Sequence, residues 1–169
     1  IALTSCTCKL MEKIINNRIQ WTLENKQLLN NYQSGFVKGK STIDNITYFV
    51  DNIQRSFTEQ KQTTAIFIDL KNAYDRVWTH KVTDNMKRLG FKGRILKYIH
   101  SFLKDRTFNT QLGDIQSVIG YMDNGIPQGS VLSCVLFNIV FDDVLNHINT
   151  PTKFCAYADD LVLFLEGKD

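Results

Sequence analysis

The sequence predicts an α+β fold. Three observations point to it: helical amphipathic periodicity in several segments, short β-rich apolar runs beside carboxylates, and no regular strand–helix–strand alternation of the kind that builds a parallel sheet. The chain's 169 residues are about one domain's worth and enough to bury a core. A hydrophobic fraction of 43% with 22% charged residues excludes collagen-like, disordered and coiled-coil classes. No apolar run approaches the roughly 18–20 residues of a membrane span.

Residues 8–24 have the periodicity of an amphipathic helix, with Leu10, Met11, Ile14, Ile15, Ile19 and Leu23 on one face and Lys9, Glu12, Lys13 and Asn16 pointing away. Residues 25–40 are polar and irregular and include a basic, glycine-punctuated loop, Gln33-Ser34-Gly35-Phe36-Val37-Lys38-Gly39-Lys40. Ser41 with Asp44 at the third helical position is a capping-box variant, and Ile43, Ile46, Val50, Ile53 and Phe57 give the helix that follows one apolar face. Residues 64–69 form a β-rich run ending in Asp69. Helical patterns follow at about 79–89 and 93–104, separated by Gly90 and Gly93. Residues 106–121 suit a β-hairpin with Gly113-Asp114 near its turn. Ser133 is the expected N-cap of a helix to about 148, apolar over much of its circumference and so expected to be buried. Residues 154–158 and 161–165 are two apolar runs separated by Asp159-Asp160, which predicts a hairpin with both carboxylates at its tip.

The chain opens on Ile1 with no signal-peptide pattern and stops at Asp169 just after an apolar stretch; both ends look cut, so a fragment of something longer is expected. The cysteines at 6, 8, 134 and 155 are scattered. Cys6-x-Cys8 is not the usual zinc spacing and no histidine cluster completes it, so free thiols in a reducing compartment are the default. The histidines at 80, 100 and 147 match no motif.

Adjacent acids between two apolar strands repel each other, and a cation relieves them. The bland alternative is a turn that happens to use Asp. Asp69 shifts the balance because it also terminates an apolar strand. If the two strands are neighbours, three carboxylates converge at one sheet edge, which is a Mg²⁺ site of hard oxygen ligands with positions left for water and phosphates. Two metals held in this way activate an attacking hydroxyl and stabilise a leaving pyrophosphate.

At these residues the sequence resembles the reverse transcriptases. Tyr157-Ala158-Asp159-Asp160 matches their YxDD motif. Phe67-Ile68-Asp69-Leu70-Lys71-Asn72-Ala73-Tyr74-Asp75-Arg76-Val77 matches their first-aspartate motif. The run from Asn124 through Pro127-Gln128-Gly129 to Asn138 matches the intervening PQG motif, and the run from Gln33 to Asp44 looks like the fingers motif of the non-LTR retrotransposon branch. Four motifs in the right order cover essentially the whole chain. The nearest flavour is an insect-type, jockey-like element.

The resemblance implies the fingers and palm of a right-hand polymerase, an antiparallel palm sheet packed on helices, with the thumb absent. Residues 1–64 would be fingers, and residues 65–169 mainly palm with a hairpin insertion at about 106–121. The activity implied is RNA-directed DNA polymerisation: a primer 3′-hydroxyl attacks the α-phosphate of a dNTP on an RNA template, and pyrophosphate leaves. Asp69, Asp159 and Asp160 would carry two Mg²⁺ ions, with Mn²⁺ as an alternative and the Leu70 carbonyl as an extra ligand. Tyr74 would be the steric gate against a ribose 2′-hydroxyl, and Asn72 and Ala73 would line the 3′-hydroxyl pocket. Gln128 and Gly129 would touch the nucleotide, Lys38 and Lys40 would meet triphosphate or template phosphates, and Tyr157 and Ala158 would touch nucleic acid. Two departures stand out: Val37 where members often carry Arg, and Cys134 where Pro usually follows the serine. The setting implied is intracellular, in cytoplasm and nucleus, with RNA template, DNA primer and dNTPs as partners and no membrane; the oligomeric state is left open. Alternatives are a degenerate copy that keeps only a nucleic-acid-binding palm, and an RNA-dependent RNA polymerase, against which the aromatic at position 74 argues. The isolated piece is expected to be poorly active.

The formal net charge of +3 conceals a pattern. Residues 61–113 carry 11 basic and 4 acidic side chains, whereas residues 114–169 carry 2 and 8. The basic stretch suits a nucleic-acid backbone, or else two helices with solvated Lys/Arg faces.

Overall fold

A computed structural model describes residues 2–168. The elements in chain order are α1 (Cys6–Asn25), α2 (Thr42–Thr58), β1 (Gln62–Asp69), α3 (Thr79–Arg88), α4 (Arg94–Leu103), β2 (Arg106–Phe108), β3 (Gln111–Leu112), β4 (Ile115–Gln116), β5 (Gly120–Met122), α5 (Ser133–Leu145), β6 (Lys153–Tyr157) and β7 (Asp160–Gly167). The α+β expectation holds: helices accompany antiparallel strands, and among the described residues no parallel βαβ unit forms. The chain divides into two compact units interleaved in sequence, one of residues 1–18 and 74–140, the other of residues 19–73 and 141–169.

In the first unit α3 and α4 pack together. Val82, Met86, Ile99 and Leu103 are buried, as are Leu132, Leu136 and Ile139 of the α5 region. The expected hairpin is present as two short ladders, β2 with β5 and β3 with β4, around a Gly113-Asp114 turn. Two residues on one arm (109–110) oppose three on the other (117–119), a bulge that interrupts the pairing.

In the second unit β1, β7 and β6 form an antiparallel sheet in that order. Pairing runs from Gln62 opposite Gly167 to Asp69 opposite Asp160, and from Lys153 opposite Phe164 to Tyr157 opposite Asp160. Helix α2 packs on β6 and β1. The seam is aromatic: Phe164, almost fully buried, meets Tyr48 at 5.9 Å and Phe49 at 5.1 Å between ring centroids.

Four local expectations are corrected. The apolar stripe of α2 does not face the sheet: Ile43, Ile46, Val50 and Phe57 are exposed. The inward face carries Asn45, whose amide donates to the Ala156 carbonyl (2.8 Å), and Asn52, whose oxygen accepts from Lys153 Nζ (2.8 Å). Along α1, Glu12 is fully buried while Leu10, Met11 and Ile14 are exposed, because the Glu12 carboxylate is bonded to backbone and hydroxyl donors at 130–132. Ser133 is the first residue of α5 rather than its N-cap, since its hydroxyl donates to the Pro127 carbonyl (2.7 Å). That helix stops at Leu145, three residues short of expectation.

The capping box at α2 is real. The Asp44 carboxylate accepts from the Ser41 backbone N–H (2.6 Å) and hydroxyl (2.8 Å), and these bonds hold its pKa below the usual 3.8.

Candidate active site

The three acids singled out from the sequence all belong to the second unit. Asp69 is the last residue of β1 and Asp160 the first of β7, and the two are direct cross-strand partners. Asp159 immediately precedes Asp160, in the two-residue turn joining β6 to β7, where Ala158 takes a φ of 55°. Only Asp159 therefore sits in the turn, and Asp160 belongs to the strand. Side chains directly opposite on an antiparallel pair lie about 5 Å apart at Cβ, and like charges there destabilise the pairing. Asp69 and Asp160 are exposed and Asp159 is half-buried. None of the three carboxylates takes a hydrogen bond or ion pair from a described residue.

This arrangement fits a hard divalent cation in its donor chemistry: carboxylate oxygens only, uncommitted to other partners, at one sheet end. The Leu70 carbonyl lies one residue beyond β1. Among the described residues no three His, Cys, Asp or Glu side chains close a ligand cage by themselves. Mg²⁺ does not require one, since it usually keeps several waters and draws on substrate phosphates beside one or two carboxylates.

The 33–40 loop braces the turn that carries Asp159. Gln33 and Ala156 form a parallel bridge, with Ser34 N donating to Ala156 O (2.9 Å) and Ala156 N to Tyr32 O (2.9 Å). The buried Gln33 side chain donates to the Ala158 carbonyl (3.2 Å) and accepts from Gly35 N (2.9 Å). Gly35 is required here by space: a Cβ would stand 2.0 Å from Ala158 N. The two lysines of the loop differ. The Lys40 ammonium is committed to the Asn31 and Gln33 carbonyls, and partial burial lowers its pKa. Lys38 is exposed. Tyr157 is partly exposed, Ala158 buried, and Asn72 takes a φ of 55° in the turn after β1 beside half-buried Ala73.

The remaining predicted residues belong to the first unit, where two motifs are joined. Gly125 N donates to Val77 O (2.7 Å) and Ile126 N to Tyr74 O (2.8 Å). Gly125 has a φ of 82°, and a Cβ would lie 2.7 Å from Asp75 O, so both its conformation and its surroundings demand glycine. The Tyr74 ring stacks on Phe137 (centroids 5.2 Å, 16° between planes), and its hydroxyl meets Cys134 Sγ at 3.8 Å. Gln128 and Gly129 are exposed on the turn, with the Gln128 carbonyl taking a bond from Ala2 N (2.7 Å). Behind the turn, Glu12 accepts from the Ser130 hydroxyl, Val131 N (2.9 Å) and Leu132 N (3.4 Å).

Glu12, Asn45 and Gln33 as braces were not evident in the sequence. Only Gln33 carried a signal, as a motif member. An acid on an amphipathic helix otherwise looks like a solvated residue.

A family model described as reverse transcriptase (RNA-dependent DNA polymerase) matches residues 1–169. The chain is 32% identical over 169 residues to a probable RNA-directed DNA polymerase from transposon BS of Drosophila melanogaster, covering 96% of this chain and 18% of the relative. It is 28% identical to the RNA-directed DNA polymerase from mobile element jockey of the same organism, covering 95% of this chain and 18% of that one. Among solved structures it is similar to apo telomerase from Candida tropicalis, with a TM-score of 0.68, 13% identity, and coverage of 90% of this chain and 34% of that one. It is likewise similar to telomerase from Candida albicans in complex with a fragment of telomeric RNA, with a TM-score of 0.67, 12% identity, and coverage of 89% and 30%. At such identities the likeness shows the fold, that of a right-hand polymerase. Together with the strand register that sets Asp69 against Asp160, the match over the full length shows that this chain belongs to the reverse transcriptase family.

Proposed function

We propose that this chain supplies part of the catalytic body of an RNA-directed DNA polymerase of a non-LTR retrotransposon, with residues 1–64 as fingers and 65–169 mainly as palm. The observation that carries the proposal is the pairing of Asp69 with Asp160 beside the Asp159 turn, a stability cost with no balancing cation among the described residues. Asp69, Asp159, Asp160 and the Leu70 carbonyl would hold two Mg²⁺ ions, which when bound favour ionisation of an attacking hydroxyl and neutralise charge on a phosphoryl group. The chain's residues do the positioning. Gln33 and Gly35 fix the turn so that Asp159 meets its target at one location. Asn72 and Ala73 line the pocket for the nucleotide's 3′-hydroxyl, and Tyr157 meets the nucleic acid, with buried Ala158 shaping the backbone behind it. Lys38, free of loop duties, meets phosphate, while Lys40 is assigned to closing its own loop. Stacking on Phe137 holds the Tyr74 ring rigid, which a steric gate against a 2′-hydroxyl requires. Gln128 and Gly129 contact the nucleotide from a turn braced by Glu12.

The partners that follow are an RNA template, a DNA primer and dNTPs, met inside the cell in cytoplasm and nucleus. A second reading keeps the fold without catalysis, as in a decayed element copy; the presence of all three acids, Tyr74 and Gln128 favours activity. Primer extension on an RNA template by the polymerase polypeptide carrying this chain decides. Asp159→Asn is expected to reduce extension at least about 100-fold, since metal-based charge stabilisation is worth several kcal/mol, with template binding largely kept. Extension that persists in Asp159→Asn refutes the assignment.

A further inference from the structure

The first unit contains a cleft of about 570 Å³ that the polymerase reading does not use. Its walls come from α3 (His80), the end of α4 (His100 and Lys104) and the base of the β2–β5 hairpin (Arg106 and Tyr121). Trp78 adjoins it, stacked on His80 with centroids 5.5 Å apart. Both large aromatics are offered to solvent, Trp78 at 59% and Tyr121 at 79% exposure. Rings this exposed bury no core surface, and a flat π-face in water is what a nucleic-acid base stacks on.

Arg106 supplies a second, independent indication. Its Nη2 donates to the carbonyls of Asn124 (2.9 Å) and Gly125 (2.6 Å), which pins the guanidinium at the foot of the hairpin. Its Nε and Nη1 are buried without a hydrogen-bond partner. Burial pushes its pKa below the usual value, yet a guanidinium does not surrender its proton, so a fixed positive charge with no ion-pair partner among the described residues stands behind the cleft. Lys104 adds an exposed one. Asp105 and Asp123 also border the cleft, but the Lys104–Asp105 contact is long (3.6 Å) and exposed, and screening leaves little of it.

The wider field has the same sign. The first unit carries 12 basic and 6 acidic side chains, a net of +6, while the second, with the three candidate metal-binding acids, carries 8 and 11, a net of −3. Arg76, Lys81, Arg88, Lys92, Arg94 and Lys97 on or beside α3 and α4 are all exposed. A cationic surface attracts the backbone, and aromatics interleaved with it take the bases.

We propose that the cleft formed by α3, α4 and the β2–β5 hairpin is a second binding site for single-stranded nucleic acid, sharing no residue with the carboxylate site. A backbone phosphate sits toward Lys104 and Arg106, and bases stack on Tyr121 and on the Trp78–His80 pair. Stacking reads no sequence, so the site takes single strands with little sequence preference and disfavours duplexes, whose bases are already stacked.

The test uses a fluorescein-labelled 12-nucleotide single-stranded RNA and this chain, followed by anisotropy. Tyr121→Ala is expected to weaken binding at least about fivefold, and the Tyr121→Ala/Lys104→Ala double variant at least about 20-fold. Lys104→Ala alone lowers the slope of log affinity against log salt by about 0.7, the value for one phosphate contact on a single strand, a change that a purely structural role would not produce. In a Trp21→Phe background Trp78 is the sole indole, and its fluorescence is quenched by the RNA. A Lys13→Ala/Lys26→Ala variant, which removes two exposed cations elsewhere, serves as the charge control. Equal loss in that control, unchanged affinity in Tyr121→Ala, or equally tight binding of a 12-base-pair duplex each overturns the proposal. Inorganic triphosphate that displaces the RNA as well as unlabelled RNA does would reveal a plain anion site and overturns it too. The outcome is separable from catalysis, because Asp159→Asn is read by extension and Tyr121→Ala by binding.

Discussion

Gly35→Ala tests whether the 33–40 loop positions the carboxylate turn. The new Cβ would stand 2.0 Å from Ala158 N, 2.7 Å from Ala158 Cα and 3.0 Å from Tyr157 C, all backbone atoms with no rotamer to yield. Restoring ordinary van der Waals contact at 3.4 Å requires loop and turn to part by about 1.4 Å. That separation breaks the Gln33–Ala158 bond (3.2 Å) and stretches the Ser34–Ala156 bond (2.9 Å), leaving buried groups unpaired. Overpacking costs about 1–3 kcal/mol, and one stranded buried hydrogen-bonding group about 1–3 kcal/mol more. A loss of about 3–5 kcal/mol is therefore expected from a domain whose total stability is about 5–15 kcal/mol. Asp159 moves with the turn, and a displacement of about 1 Å at a reacting centre costs on the order of 100-fold in rate. Gly39→Ala is the control: its φ is 78° but nothing lies within 4 Å of where a Cβ would stand, so only backbone strain of about 1–2 kcal/mol applies. Urea denaturation measures the stabilities, and primer extension by the polypeptide carrying this chain measures the rate. A Gly35→Ala protein no less stable than Gly39→Ala, with extension within twofold of the parent, would refute the bracing role.

Three further outcomes are expected. Tyr74→Val should raise ribonucleotide incorporation relative to deoxyribonucleotide by about tenfold or more, the scale at which pocket shape separates substrates differing by one small group; an unchanged ratio in competition assays removes the gate. Glu12→Ala should cost about 3 kcal/mol in urea denaturation, because it strands the buried Ser130 hydroxyl proton and the Val131 N–H, while Leu132 N–H keeps its bond to Ser130 Oγ (3.3 Å); Glu12→Gln, which keeps an acceptor oxygen, should cost less, and equal losses would show that packing rather than hydrogen bonding matters there. The start of α2 should be acid-sensitive with a defined sign: Asp44 has a folded-state pKa depressed below 3.8, so its contribution is complete above that value and is lost as pH falls through the lower, folded one. Far-UV ellipticity followed from pH 5 to 2 should show a helical loss that Asp44→Asn removes.

What the sequence made legible, and what it concealed, follow from the range of the interactions involved. The metal-ligand candidates could be located because their signal is local: an acid at the end of an apolar run is anomalous within six residues, and β1, β6 and β7 lie close to where alternation and composition put them. The capping box at Ser41 and Asp44 was legible for the same reason, its partners being three residues apart. The buried faces of α1 and α2 were not. A stripe of Ile43, Ile46, Val50 and Phe57 satisfies every periodicity rule for a core face, yet periodicity measures segregation and not direction. Direction is decided by what the sheet offers: Phe164 takes Tyr48 and Phe49, the Ala156 carbonyl, already serving the 33–40 bridge, accepts the Asn45 amide as a second donor, and the Lys153 ammonium donates to Asn52. Glu12 is the same case, since three donors at 130–132, over a hundred residues away, outweigh the cost of burying a carboxylate. Lys40 shows the effect within one motif. The resemblance implied a phosphate contact for it, and in the folded loop its ammonium lies on the Asn31 and Gln33 carbonyls. Glu12, Asn45 and Asn52 are thus polar side chains whose partners lie about a hundred residues away or more, and each serves as a support rather than as a candidate ligand. A motif mixes groups suited to meet substrate with groups such as Gln33 and Gly35 that hold a neighbouring turn in place, and the partners of the second kind come within reach only in the folded chain.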